Sequence, residues 1–115
     1  MRKFLTILFC LFFFISSIKS QISITSSSFT YSQDFNSLAN SPTGGTSSTM
    51  PSSWSFVESG TGSDNTYIID NTTTGGMHSF GTGTSTERSL GEVTTNSLSS
   101  VFGVVFQNNT SSPIS

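Results

Sequence analysis

The sequence predicts an all-β sandwich preceded by a helical export segment, with residues 1–20 the export segment and 21–115 the sandwich module. Three observations predict it. Past residue 20 the apolar residues fall in short runs that alternate with polar ones, which places successive side chains on opposite faces of a strand. Those runs are rich in Phe, Tyr, Trp, Ile and Val, which suit a pleated, half-buried surface. Clusters of Gly, Asn, Ser, Thr and Pro separate them, as turns separate strands in a sandwich. No window past residue 20 places apolar residues at helical spacing among good helix formers. The one place that admits a helical turn is Phe35-Asn36-Ser37-Leu38.

The first element is the export segment. Met1-Arg2-Lys3 is positive, Phe4 to Ile15 is apolar apart from Thr6, and Ser16-Ser17-Ile18-Lys19-Ser20 is small and polar. That succession is the three-part pattern of a secretory signal. The apolar run is shorter than the ~20 residues of a spanning helix, so a permanent anchor is not expected. Cleavage is expected between Ser20 and Gln21, with Ser17 as the rival site. Leu8 and Phe9 precede Cys10 where a lipobox needs small residues, so Cys10 reads as apolar filler.

The strands follow in order. Gln21–Thr25 alternates. Phe29–Phe35 begins with alternation, putting Phe29 and Tyr31 on one side. Ala39–Ser53 is a long polar loop with Pro42, Gly44-Gly45 and Pro51, as well suited to a functional or mobile segment as to wrapping over the sandwich. Trp54–Val57 and Thr66–Ile69 are compact aromatic and β-branched runs. Met77–Phe80 is shorter, and Leu90 and Val93 mark a weak strand. Val101–Phe106 is the most apolar run and reads as a strand buried on both faces. Such a strand needs neighbours on either side, and only about six strands are legible against the seven or more of a typical sandwich. The chain is therefore expected to be the front of a longer protein.

Composition excludes several functions. Residues 21–115 hold Asp34, Glu58, Asp64, Asp70, Glu87 and Glu92 against Arg88 alone, a net charge of −5. One basic residue cannot neutralise phosphates, so neither nucleic acid nor an anionic lipid surface is an expected partner. The same residues contain no cysteine, so no disulfide staples the module. They hold 23 Ser and 16 Thr, a composition near that of disordered chains, but the regularly spaced bulky residues favour a fold.

No arrangement of residues spells out catalysis. Met77-His78-Ser79-Phe80-Gly81 approaches a nucleophile elbow, but Met77 stands where a small residue is needed, and no helix follows. His78 and Ser79 would face opposite ways on a strand. Asp34, Glu58 and Glu92 give no sign of converging as a glycosidase pair. One His without Cys makes no zinc site. Asp64-Asn65 and Asp70-Asn71 offer hard oxygens, so Asp64 and Asp70 are weak calcium candidates beside their ordinary role in turns. No other cofactor is indicated. Glu87-Arg88 suggests an ion pair for the lone arginine. Trp54, Phe56, Tyr31 and Tyr67 suit a core, or a polysaccharide surface if exposed. Asn71-Thr72-Thr73 and Asn109-Thr110-Ser111 match the N-glycosylation sequon.

Taken together, Tyr31 to Leu38, Pro51 to Ser59, Ser79-Phe80-Gly81, Glu87 to Gly91 and Phe102 to Thr110 resemble the N-terminal β-sandwich module of large secreted multidomain proteins of Bacteroidota, of the type IX-secreted kind. The resemblance covers most of residues 29–115. It implies a jelly-roll-like, non-catalytic module followed by other domains of the same protein. The role expected of such an exported module is surface attachment or spacing, with those downstream domains as partners. It brings no catalytic residues. The alternatives are the front of a secreted hydrolase or nuclease with its catalytic domain downstream, and a carbohydrate-binding module.

Overall fold

The computed structural model describes residues 20–69 and 74–114. The export segment, apart from Ser20, and the calcium candidate Asp70 lie outside the described residues. The chain forms β1 (Ile22–Ile24), β2 (Thr46–Ser47), β3 (Trp54–Gly60), β4 (Tyr67–Ile69), β5 (Gly76–Phe80), β6 (Ser89–Val93), β7 (Leu98–Val104) and β8 (Phe106–Asn108). One sheet has the order β2-β4-β5-β6; β3 pairs with β7, and β1 with β8. The β4–β5 and β1–β8 pairs are parallel and the other three antiparallel. The fold is all-β, a sandwich, with no helix among the described residues.

Register explains where the core sits. Residues directly opposite in a ladder share a face. Tyr67 stands opposite Met77, Ile69 opposite Ser79, and Ser79 opposite Leu90. Tyr67, Ile69, Met77 and Leu90 therefore line one face of the four-stranded sheet. Phe56 of β3 meets that face, its ring centroid 6.4 Å from that of Tyr67. Leu38, Tyr67, Ile69 and Met77 form the buried centre, with Phe35, Ala39, Met50, Phe56 and Leu90 packed around it. Full burial stabilises such side chains by about 1.5–3 kcal/mol each. The apolar core is small, and the buried Glu58, His78, Ser79 and Arg88 nearly match it in number. Polar contacts must carry much of the fold.

The long polar loop wraps over the core. It contributes β2, whose Thr46 and Ser47 pair with Ile68 and Tyr67. Gly44 donates its N–H to the Ile69 carbonyl, and Ile69 donates to that of Gly45, each at 2.8 Å. The buried Tyr67 hydroxyl donates to the Thr49 carbonyl at 2.9 Å and accepts from the Ala39 N–H at 3.0 Å. One phenol thus ties both ends of the loop to the sheet.

Three expectations are corrected. Phe29–Phe35 joins no ladder. It is held by its rings: Phe29 and Tyr31 stand edge-on to Phe106, at 6.4 and 5.4 Å between centroids, and Phe35 edge-on to Trp54 at 4.8 Å. The segment ends in a tight turn, not a helical one. Asp34 Oδ1 accepts from the Asn36 N–H, Phe35 adopts φ 60°, and Leu38 donates to the Phe35 carbonyl. The run from Val101 to Phe106 is not buried on both faces. Val101 is 72% exposed and Val105 52%, because no second layer among the described residues covers them.

Candidate functional site

The alternation of β3 puts Glu58 on the inward face with Trp54 and Phe56. Glu58 is buried, and its carboxylate is filled by backbone donors. Oε1 accepts the Met77 N–H at 3.0 Å, and Oε2 accepts those of Asp64 and Asn65, each at 3.2 Å. Asn65 closes the unit, its Oδ1 accepting the Glu58 N–H at 2.9 Å. A Cβ at Gly76 would stand 3.2 Å from Oε1, and Gly76 adopts φ 117°. Glycine there satisfies both the close approach and the backbone.

Glu58 and Asp64 line one small cleft of about 90 Å³, with Gly62, Thr66 and Gly76. The Asp64 carboxylate is turned back on its own chain. Its Oδ1 accepts the N–H and the hydroxyl of Thr66, both at 2.8 Å, closing an Asx turn. Calcium takes six to eight oxygens. Among the described residues no three His, Cys, Asp or Glu side chains gather. The two carboxylates of this cleft hold N–H and O–H donors, the surroundings of a bound anion.

The second polar cluster is built on Arg88, which is 2% exposed. Its Nε donates to Ser79 Oγ at 2.8 Å, its Nη2 to the Ser79 carbonyl, and its Nη1 to the Gly83 carbonyl at 3.4 Å. Ser79 Oγ in turn donates to the Ala39 carbonyl at 2.9 Å, and the Arg88 N–H goes to Asn36 Oδ1 at 3.1 Å. The guanidinium therefore joins the β5–β6 connection, the strand and the wrapping loop through neutral oxygens. The ion pair expected of the lone arginine is not among these contacts. Arg88 points inward at the hairpin mouth, where carbonyls converge, while Glu87 is exposed. A Cβ at Gly81 would overlap the guanidinium, so that glycine makes its room.

The elbow-like run is divided between two faces. Ser79 lies on the core face and is fully buried. His78 lies on the other, its Nε2 2.6 Å from the Thr74 carbonyl and its ring stacked on Phe80 at 4.9 Å. The three carboxylates serve separate elements: Asp34 its turn, Glu58 the cleft, and Glu92, on β6, the neighbouring β7, where its Oε1 accepts the Ser100 N–H at 2.5 Å.

The aromatic candidates separate in the same way. Tyr67 is core, and Phe56 packs on it. Trp54 and Tyr31 are half-buried. Trp54 Nε1 donates to the Tyr31 hydroxyl at 2.8 Å, and that hydroxyl donates to Gln33 Oε1 at 3.3 Å. Trp54 also borders an open, polar cleft of about 150 Å³ with Ser48, Met50, Phe56 and Asn65. Of the sequons, Asn71 lies outside the described residues; Asn109 is exposed and its Nδ2 donates to Ser23 Oγ at 2.6 Å. The proposed cleavage residues Ser20 and Gln21 are exposed just before β1.

The sequence matches no protein-family model, no curated protein and no solved structure. Sequence reasoning missed the roles of Glu58, Ser79 and Arg88. The signal for Glu58 was its parity with Trp54 and Phe56, which puts a carboxylate on the apolar face. For Arg88 it was Gly81, whose missing side chain the sequence alone does not connect to an arginine seven residues on.

Proposed function

We propose that the chain is an exported, non-catalytic β-sandwich module that serves surface attachment or spacing. The observation that carries this reading is where the reactive side chains are spent. The Glu58 carboxylate, Ser79 hydroxyl and Arg88 guanidinium are each buried and hydrogen-bonded to backbone in ways that hold strands and loops together. The export pattern of residues 1–20, ending two residues before β1, supports a module that folds after crossing a membrane. The net charge of −5 beyond it favours neither nucleic acid nor anionic lipid. Kinship with the modules of secreted Bacteroidota proteins belongs to the same proposal.

The test is turnover. The purified chain is incubated with chromogenic esters, glycosides and phosphodiesters, and its Ser79→Ala variant is run alongside. The proposal expects no turnover above the blank for either. Turnover that disappears in S79A would overturn it.

The cleft beside Trp54 favours one second reading, a polysaccharide site. Trp54 is the lone tryptophan, so its fluorescence reports on that cleft alone. Quenching by a soluble glycan, saturable and lost in Asn65→Ala, would support sugar binding. An unchanged spectrum across a glycan panel would remove it.

A further inference from the structure

The hydrogen-bond parity of β7 and β8 exposes a sheet edge. In an antiparallel ladder, pairs that exchange hydrogen bonds alternate with pairs whose backbone groups point outward. Glu58 gives its N–H to Asn65, Ser100 gives its own to Glu92, and Trp54 gives its own to the Pro51 carbonyl. The pairs Glu58–Ser100 and Trp54–Val104 are therefore outward-facing, and Phe56–Phe102 between them is too. Phe102 and Val104 turn their N–H and C=O groups away from β3.

The same parity continues into β8. Ile22 donates to the Val105 carbonyl, and Asn109 donates to the Ile24 carbonyl. Residues 105, 107 and 109 thus serve β1, and Phe106 and Asn108 face away from it. Ser53 Oγ donates to Ser20 Oγ at 3.1 Å, so β1 follows β3 along one edge of the β7–β8 line. Among the described residues no strand pairs with the opposite edge from Phe102 to Asn108.

Proteins blunt such edges with charges, prolines or covering segments. Here the blunting stops at Ser100: Glu92 caps the Ser100 N–H, and Thr95 donates to the Leu98 carbonyl. Beyond it stand Val101, Phe102, Val105 and Phe106, all exposed. The sequence from Val93 to Ser115 carries no charged side chain, and every carboxylate lies before it. Two copies, each strongly acidic elsewhere, can meet through this edge without bringing like charges together.

We propose that two copies of this chain pair edge to edge through residues 102–108, antiparallel across a twofold axis. A twofold contact joins the same patch on both subunits, and an edge strand paired with itself is necessarily antiparallel. The exposed valines and phenylalanines flanking the edge are then shared between the two copies.

The test combines sedimentation with amide hydrogen exchange on the purified chain. At about 100 μM a dimer is expected, with the Phe102, Val104 and Phe106 amides slow to exchange and accelerating on dilution. The Gly103 amide, bonded to β3, stays slow throughout and serves as the internal control. Val101→Lys places a charge beside the edge at an exposed position and weakens association by about tenfold or more. A monomer at that concentration would overturn the proposal. So would a dimer in which the Phe102 and Val104 amides still exchange freely, since that copy-to-copy contact would not be an edge pairing. If V101K does not fold, the dilution series on the unaltered chain decides alone.

Discussion

Replacing Glu58 by Gln tests how much of the fold hangs on one buried carboxylate. The native side chain accepts three backbone N–H groups, one from β5 and two from the turn before β4. Glutamine keeps one acceptor oxygen and puts an NH₂ group at the other site. With its oxygen toward Asp64 and Asn65, the NH₂ faces the Met77 N–H, donor against donor. The reverse orientation strands two donors instead of one. A buried unsatisfied donor costs about 1–3 kcal/mol, and each surviving bond loses roughly 1 kcal/mol with the charge. The sum is about 3–5 kcal/mol, a large part of the 5–15 kcal/mol that holds a typical domain. Urea unfolding followed by Trp54 fluorescence reads it out. With a slope of about 1–1.5 kcal/mol per molar for a small domain, the midpoint falls by about 2–5 M. A shift below about 0.5 M would show that the three N–H groups are satisfied without the carboxylate.

Two other substitutions probe the remaining polar ties. Tyr67→Phe removes the hydroxyl shared by Ala39 and Thr49 and is expected to cost about 1–3 kcal/mol in the same urea assay, with the amides of the wrapping loop exchanging faster. Gly81→Ala drives a methyl into the Arg88 guanidinium and is expected to destabilise by about 1–3 kcal/mol. In G81A, a further Arg88→Met change should recover part of that loss, since the shorter-reaching, uncharged side chain leaves room for the methyl.

The strands were legible where alternation coincided with a β-branched or aromatic run. Trp54–Val57, Thr66–Ile69 and Met77–Phe80 all fall within observed strands or overlap them. Phe29–Phe35 shows the same pattern and is not a strand, because its rings pack on Phe106 and Trp54 while its backbone joins no ladder. Alternation reports which way side chains face, not whether a neighbour supplies hydrogen bonds. Strand β2 was hidden for the opposite reason. Thr46-Ser47 has no apolar pattern and is set in place by the Gly44 and Gly45 bonds to Ile69. Hydrophobicity alone marks Val101–Phe106 as a doubly buried strand, but it does not say whether a covering layer exists.

The buried polar clusters were less legible because their partners are backbone groups distant in sequence. Asp64 could be read as a turn residue, and its Asx turn with Thr66 agrees with that local chemistry. Composition, with six carboxylates to one arginine in residues 21–115, points to an ion pair for Arg88. Its burial against Ser79 and Gly83 carbonyls depends on the β5–β6 hairpin, which composition does not describe.

Export of this module, as proposed above, is tested by N-terminal sequencing with intact mass. The full chain is expressed in a cell with a general secretory pathway, and the protein is recovered separately from the cytoplasm and from outside the inner membrane. An exported species beginning at Gln21 is expected, with β1 retained to pair with β8. An intact chain that begins at Met1 and stays in the cytoplasm would contradict it.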